Sequence, residues 1–178
     1  IEGIDKPALA GLWPNKKGMN IVLDLGANIE CSDKNLIDFS YMGSSLYKSL
    51  FRDDLPKIAL LNVGSEEIKG HDEIKKAYQF LKETKLIDFE FIGFVEGNHI
   101  TEGTANVIVT DGFTGNIALK TAEGTATFVT NILKESLNKN FYSRLLTFLN
   151  YLNFKKFKDR LDPRKYNGAI FLGLNGPV

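Results

Sequence analysis

Four short runs of apolar residues recur along the chain, and each ends in turn-forming residues. They occupy residues 20–25, 58–63, 89–94 and 107–110. Each run is nearly continuous in its apolar character, as strands are when helices cover both faces of a parallel sheet. The pattern therefore predicts four buried strands rather than the alternating strands of a half-exposed antiparallel sheet.

Helical periodicity fills the gaps between these runs. Ser32 or Asp33 is suited to cap a first helix, and residues 115–137 predict a long third helix. The first two helices are indicated by apolar residues at helical spacing: Leu36, Phe39, Tyr41, Leu46 and Leu50, then Ile74, Ala77, Tyr78 and Leu81. Strands that alternate with helices predict βαβ units. Residues 1–178 are therefore expected to form a single α/β domain with a largely parallel sheet.

Three of the predicted strands end in segments of similar design. These are residues 24–28 (DLGAN), residues 61–66 (LNVGSE) and residues 111–116 (DGFTGN). In open α/β sheets, ligands bind beyond the carboxyl ends of the strands, and the unpaired amides of a helix start favour an anion. Any one segment is more simply explained as turn chemistry before a helix. Three in succession favour a shared phosphate or carboxylate site.

Two lysines could add positive charge to such a site. Lys120 lies about one turn inside the third helix, and Lys69 precedes Gly70 in the loop that continues the second segment. A lysine in a ligand-facing segment can bind an anion or polarise a carbonyl group. The usual place for lysine is the solvent-exposed surface, and periodicity does not separate the two interpretations.

Composition narrows the classes of function. The 22 basic residues balance 22 acidic ones, so no overall positive field indicates nucleic acid as a partner. Cys31 has no cysteine partner, and His71 and His99 lack metal-ligand spacing. No dinucleotide fingerprint, P-loop or nucleophile elbow occurs. If the chain is an enzyme, we therefore expect neither a metal nor a covalent nucleophile, and a nucleophile that arrives with the substrate.

No apolar run reaches the roughly 18 residues that span a membrane, and residues 1–6 lack the layout of a signal peptide, so we expect a cytoplasmic location.

Residues 139–165 differ from the rest of the chain in charge. They contain eight lysines and arginines but only two acidic residues, Asp159 and Asp162, which gives a net charge of +6. This basic helical segment could lie on an anionic membrane, pack on the domain or a dimer partner, or dock an acidic carrier protein. Its candidate contact residues are Arg144, Leu145, Phe148, Leu149, Leu152, Lys155, Lys156 and Lys158.

Taken together, the motifs resemble phosphate acyltransferases of the PlsX type. The resemblance is carried by KPALA at 6–10, LDLGAN at 23–28, LLNVGSEEIKG at 60–70, TDGFTGNIALKTAEG at 110–124 and LGLNGPV at 172–178. These blocks follow the family's order and spacing over nearly the whole chain. The family has roughly a further third of chain before the first block and continues past Val178, so the chain resembles a fragment.

The resemblance implies a Rossmann-like three-layer α/β/α sandwich, akin to phosphotransacetylases and usually a homodimer. It implies transfer of a fatty acyl group from acyl carrier protein to inorganic phosphate, which gives an acyl phosphate for phospholipid synthesis without a cofactor. Rival hypotheses are a coenzyme A-dependent phosphate acetyl- or butyryltransferase and a non-catalytic scaffold that binds carrier protein and membrane.

Segment placement and resemblance together assign roles to individual residues. Lys69 is the expected catalytic cation. Residues 111–116 and Lys120 are expected to hold the anion, whereas Asn28, Asn62 and Glu66 would orient the substrate or Lys69. The complete set of candidate phosphate-site residues is Asn28, Asn62, Gly64, Glu66, Asp111, Gly112, Thr114, Gly115, Asn116 and Lys120.

Overall fold

A computed structural model of the chain describes residues 4–52, 55–84, 88–137, 150, 155 and 168–174. The chain divides into two compact units, one formed by Ile1–Ala118 with Gly168–Val178 and the other by Leu119–Asn167. Of the predicted basic segment, only Asn150 and Lys155 are among the described residues, and Lys155 is exposed. The other candidate residues of that segment lie outside the described part: Arg144, Leu145, Phe148, Leu149, Leu152, Lys156 and Lys158.

Six strands and three α-helices make up the described secondary structure, together with a short 3-10 helix at Gly97–Thr101. The strands are β1 (Ala8–Asn15), β2 (Gly18–Leu23), β3 (Lys57–Leu61), β4 (Glu90–Val95), β5 (Val107–Val109) and β6 (Ile170–Leu172). The helices are α1 (Asp33–Phe51), α2 (Asp72–Glu83) and α3 (Gly112–Leu137). Nowhere in the described ranges does a helix combine the length and the apolar character needed to cross a membrane.

The strands form one mixed sheet in the order β4-β3-β5-β2-β1-β6. The four strands from β4 to β2 are mutually parallel, and β1 pairs antiparallel with both β2 and β6. The four parallel strands are the four that the apolar runs predict. The fold is therefore a mixed α/β fold with a mostly parallel sheet, as expected.

Burial on both faces explains why the strands read as continuous apolar runs. Ile21, Ile58 and Val107 are fully buried in the cluster that also contains Leu36 of α1. Their neighbours in sequence, which point to the opposite face, are also fully buried: Val22, Ala59 and Ile108. Because successive side chains of a strand alternate between faces, burying both faces removes the polar positions that would otherwise alternate.

The helix starts follow from local capping. At α1, Ser32 accepts a hydrogen bond from the Asn35 amide at 3.2 Å, and the Asn35 side chain accepts one from the Ser32 amide at 3.0 Å. This reciprocal capping box satisfies two of the donors that a helix start leaves unpaired. Ser32, rather than Asp33, is thus the cap.

Two strands were not predicted, and two predicted strands end two residues earlier than expected. β1 contains Gly11 and Pro14, which obscure its strand pattern, and it is set by antiparallel pairing with β2 through a two-residue turn between Asn15 and Gly18. β6 has only three residues, too few for a periodicity. β2 and β3 end two residues earlier than predicted, at Leu23 and Leu61.

Candidate active site

Sheet register brings the three glycine-containing segments to one edge of the first unit. Val109 of β5 is paired with Leu60 of β3 on one side and with Leu23 of β2 on the other. The segments that begin just beyond these residues therefore leave neighbouring strands at the same level. With about 4.8 Å between adjacent strands, the outer two segments start roughly 10 Å apart.

The segment after β2 is organised by a buried carboxylate that the sequence analysis did not single out. Asp24 is fully buried, and its two oxygens accept hydrogen bonds from the amides of Gly26, Ala27 and Asn28 at 3.1, 2.9 and 2.7 Å. The Asn28 side chain donates to Asp24 Oδ2 at 2.8 Å and to the carbonyl oxygen of Pro7 at 2.6 Å. Asn28 therefore uses both of its side-chain hydrogens inside the protein.

The segment after β5 is not a loop, because α3 begins at Gly112, three residues before the predicted start. Asp111 precedes the helix, and its carboxylate accepts from the Thr114 amide at 2.7 Å and from the Thr114 hydroxyl at 2.8 Å. The Gly112 amide donates to the Asn28 carbonyl oxygen at 2.8 Å, and the Gly115 amide donates to the Asp111 carbonyl oxygen at 2.9 Å. The expectation that the amides of this segment are unpaired is thus wrong for Gly112, Thr114 and Gly115.

Close packing explains the two glycines at the start of α3. A Cβ atom on Gly115 would overlap the carbonyl oxygen of Asp24, and one on Gly112 would overlap the carbonyl oxygen of Asn28. The first turn of α3 therefore lies directly on the backbone of the segment after β2. Asn116 belongs to the same contact, since its Cβ lies 3.4 Å from the position of a Cβ built on Gly26.

The segment after β3 carries the candidate cation. The Lys69 ammonium lies 3.0 Å from Glu66 Oε2, and both side chains are about half exposed. The ammonium also lies 3.0 Å from the position of a Cβ built on Gly64, which is buried beneath it. The Asn62 side chain donates to the Lys69 carbonyl oxygen at 3.0 Å and accepts from the Val63 amide at 2.9 Å. Asn62 therefore contacts the backbone of Lys69, and Glu66 contacts its ammonium group.

The Glu66–Lys69 pair affects the ionisation of the carboxylate. The hydrogen bond from Lys69 holds the pKa of Glu66 below its ordinary value. Glu66 consequently stays ionised, and the pair stays formed, as the pH falls towards that ordinary value. The pair is exposed, so its free energy is small, and in this arrangement the Lys69 side chain is directed towards Glu66.

Lys120 belongs to the second unit, where its ammonium pairs with Glu123 Oε2 at 2.9 Å. The pairing is between residues three positions apart on α3, and Lys120 itself is exposed. Its assignment to the phosphate site stays a prediction from the sequence.

Cys31 lies close to the first unit's candidate site, and its thiol is a poor nucleophile. Burial raises the pKa of Cys31 to about 11. The hydrogen bond with the Gly112 amide is the next largest effect and lowers the pKa, and the carboxylates of Asp24 and Asp111 raise it by less than burial does. The thiol is therefore protonated at neutral pH. Among the residues that the structure describes, no group of three or more His, Cys, Asp or Glu side chains is placed to hold a metal ion.

Large apolar side chains are exposed around the same edge. They lie within or directly after the three segments, with exposed fractions between 51% and 85%: Ile29, Val63, Ile68, Phe113 and Ile117. Isolated exposed apolar residues are common on protein surfaces. Here they flank the strand ends where the polar candidates lie.

Comparison with known proteins identifies relatives along the entire chain. All 178 residues match the sequence profile of a family described as fatty acid synthesis protein. The chain is 65% identical over 178 residues to the phosphate acyltransferase of Pelagibacter ubique, and 46% identical over 175 residues to that of Agrobacterium fabrum. It covers 54% and 50% of those two proteins, and they cover 100% and 98% of it. The chain thus spans about half the length of these relatives.

Solved structures with a similar fold include two phosphotransacetylases. The EutD phosphotransacetylase from Staphylococcus aureus superposes with a TM-score of 0.55 at 19% identity, over 71% of this chain and 44% of that one. A phosphotransacetylase from Streptococcus pyogenes gives a TM-score of 0.53 at 18% identity, over 71% and 44% of the two chains. At such identities the similarity establishes the fold alone.

Proposed function

The chain belongs to the fatty acid synthesis protein family, and on this premise we propose that the full-length protein transfers a fatty acyl group from acyl-acyl carrier protein to inorganic phosphate. The product is an acyl phosphate that serves phospholipid synthesis. The name phosphate acyltransferase, carried by relatives at 46–65% identity, supports this proposal. The observation that supports it for this chain is the register of β3, β5 and β2, which brings the ends of these strands and the three segments after them to one edge of the sheet.

The reaction needs positioning more than a protein nucleophile. An oxygen of hydrogen phosphate attacks the thioester carbonyl carbon, the carbon–sulfur bond breaks, and the proton of the phosphate passes to the departing thiolate. The products are an acyl phosphate and a free thiol. Holding the two reactants in line can supply about 7–11 kcal/mol, and one well-placed donor to the developing oxyanion about 3–4 kcal/mol.

Lys69 is the described side chain best suited to supply charge at this edge. The amides of the segments after β2 and β5 are largely used inside the protein, whereas the Lys69 ammonium is half exposed and fixed by Glu66. In the proposed reaction Lys69 binds the phosphate or the carbonyl oxygen as negative charge develops. Asn62 holds the Lys69 backbone, and Asn116 is an exposed amide side chain next to the segment after β2.

The exposed apolar side chains at this edge, which we call the apolar rim, favour a long acyl chain over an acetyl group. Val63 and Phe113 are 79% and 59% exposed beside the proposed phosphate site. An acyl chain laid against such side chains gains about 0.8 kcal/mol for each methylene removed from water. This supports a fatty acyl substrate rather than the acetyl or butyryl group of the rival hypothesis.

Release of free thiol from acyl-acyl carrier protein tests the proposal in the full-length protein. We expect release that requires phosphate and is faster with acyl-acyl carrier protein than with acyl-coenzyme A. Lys69→Ala should lower kcat/KM by a factor of about 100–1,000, the usual cost of removing an oxyanion donor.

The matched control is Lys82→Ala, which removes a similarly exposed ammonium paired with Glu67 at 2.6 Å. It should leave the rate within a factor of about two, as exposed ion pairs contribute little. Near-normal turnover in Lys69→Ala would remove Lys69 from the mechanism. Thioester loss that does not depend on phosphate, or none at all, would contradict the proposed reaction itself.

Cytoplasmic location, a homodimer and peripheral contact with an anionic membrane are further parts of the proposal. Membrane contact is supported by the +6 charge of residues 139–165 and by their interleaved aromatic and leucine residues. The homodimer rests on the family resemblance, and the cytoplasmic location on the expectation from the sequence. An acyl phosphate is lipid-like, so a basic segment that contacts the membrane would release the product close to the membrane that it enters.

A further inference from the structure

Asp24 is a fully buried charged residue to which the proposed reaction assigns no role. We propose that Asp24 is a positioning residue that holds the backbone after β2 in the shape needed to bind phosphate. The inference rests on the proposed function, since it names how one wall of that same site is maintained. It gives the carboxylate an indirect role, with no contact to the reacting atoms.

The first oxygen of Asp24 joins two parts of the chain. Oδ1 accepts from the Leu9 amide of β1 at 3.0 Å and from the amides of Gly26 and Ala27 at 3.1 and 2.9 Å. β1 is thereby tied to the segment that follows β2. The bend of this segment around one oxygen depends on Gly26, whose φ of +133° is unfavourable for other residues.

The second oxygen continues the network to α3. Oδ2 accepts from the Asn28 amide at 2.7 Å and from its side-chain nitrogen at 2.8 Å. The carbonyl oxygen of Asn28 in turn accepts from the Gly112 amide, the first residue of α3, at 2.8 Å. Asp24 thus fixes the residue on which the helix start rests, and through it the placement of Asp111 and Asn116.

All five partners of Asp24 are donors, so the site requires an acceptor at both oxygens. An asparagine at this position offers one oxygen and one NH₂ group. Whichever way it is turned, at least two N–H groups of the protein would face another donor. A buried donor without an acceptor is strongly unfavourable, so the segment would leave its present shape.

The test is Asp24→Asn in the full-length protein, with Asp72→Asn as a matched control. Asp72 lies at the exposed start of α2, where its carboxylate pairs with Lys75 at 2.9 Å. In Asp24→Asn, we expect the KM for phosphate to rise roughly tenfold or more, from the lost acceptors. The KM for the acyl thioester should rise less than the KM for phosphate, because the exposed Val63 and Ile68 lie on the segment after β3, which is outside the Asp24 network. Amide exchange of Gly26, Ala27 and Asn28 should accelerate by about tenfold or more.

Asn28→Ala keeps the inference testable if Asp24→Asn does not fold. It retains the buried carboxylate and removes one of its five donors. Since both side-chain hydrogens of Asn28 are used internally, its loss acts on the segment and not directly on phosphate. We expect a smaller rise in the phosphate KM and faster exchange of the Gly112 amide.

The inference is overturned if a folded variant shows an unchanged or lower KM for phosphate. It is also overturned if both KM values rise to the same extent while kcat falls. The same holds if exchange at Gly26, Ala27 and Asn28 stays at the wild-type rate. Wild-type protein that releases no thiol with phosphate instead refutes the proposed function, and the role in phosphate binding falls with it. Normal wild-type turnover with an unaltered phosphate KM in Asp24→Asn refutes the inference alone.

Discussion

Gly115→Ala is the sharpest test of the packing between α3 and the segment after β2. A Cβ at position 115 would overlap the Asp24 carbonyl oxygen and lie 3.0 Å from both the Asp24 carbonyl carbon and Thr110 Cγ2. The obstructing group is backbone, and hydrogen bonds hold it on both sides. The Asp24 amide donates to the Thr110 carbonyl oxygen at 3.0 Å, and the Leu25 amide donates to that of Leu9 at 2.9 Å.

The magnitude follows from two opposing effects. Overpacking a well-packed site costs about 1–3 kcal/mol, and the upper end applies where the neighbour is anchored backbone. Replacing a helical glycine with alanine stabilises the helix by about 1 kcal/mol. The net expectation is a loss of about 2 kcal/mol, or a decrease in Tm of about 4–8 °C for a chain of this size.

Gly124→Ala is the internal control, because it makes the same substitution in the same helix. Among the described residues, no atom beyond the adjoining turns of α3 lies within 4 Å of a Cβ at position 124. The helix preference therefore dominates, and stability should rise by about 0.5–1 kcal/mol. Thermal and denaturant unfolding of both variants measures the difference. If Gly115→Ala is as stable as Gly124→Ala, the close approach of α3 to Asp24 is refuted.

Two further predictions concern charge. Burial raises the pKa of Asp38, with Lys34 opposing and Asp5 adding to the effect, and its Oδ2 has no hydrogen-bond partner among the described residues. A carboxyl group whose pKa is raised in the folded state contributes stability that is lost as the pH rises through that pKa. Asp38→Asn does not ionise, so its gain in Tm over wild type should grow from about pH 4 to pH 7. A difference in Tm that does not depend on pH would contradict this. For the basic segment, full-length protein should sediment with anionic phosphatidylglycerol vesicles at low salt, and Lys155→Ala, Lys156→Ala and Lys158→Ala together should weaken binding by about 1 kcal/mol each. An absence of binding at low salt would remove the membrane role.

Apolar patterning predicted the parallel part of the sheet because those strands are buried on both faces. Such strands appear in the sequence as continuous apolar runs, and the apolar residues of the helices between them recur about every 3.6 residues. β1 leaves no such run. Its position depends on pairing with β2 and on the hydrogen bond from the Leu25 amide to the Leu9 carbonyl oxygen. These contacts join residues distant in sequence, which local patterns do not report.

The start of α3 was misplaced for a physical reason that also bears on the site. Residues 112–115 include two glycines, which disfavour helix, so local preference indicates a loop. The Asp111 cap and the backbone of Asp24 and Asn28 override that preference. Asp24 itself was overlooked because a lone aspartate after a strand has many ordinary explanations. The signal available was its position directly before Leu25 and Gly26, between a buried run and a turn.

The three segments at the candidate site consequently divide into a fixed part and an adjustable part. The segments after β2 and β5 are joined by Asp24, Asn28 and Gly112 through bonds of 2.7–3.1 Å around a fully buried carboxylate. The segment after β3 presents Lys69, which is fixed by one exposed ion pair and by Asn62. An exposed pair contributes little free energy, so a phosphate dianion can displace Glu66 from Lys69 at small cost. In the proposed reaction the fixed part sets where phosphate lies. Because Glu66 can be displaced from Lys69, the Lys69 ammonium is available to stabilise the negative charge that develops as the thioester is attacked.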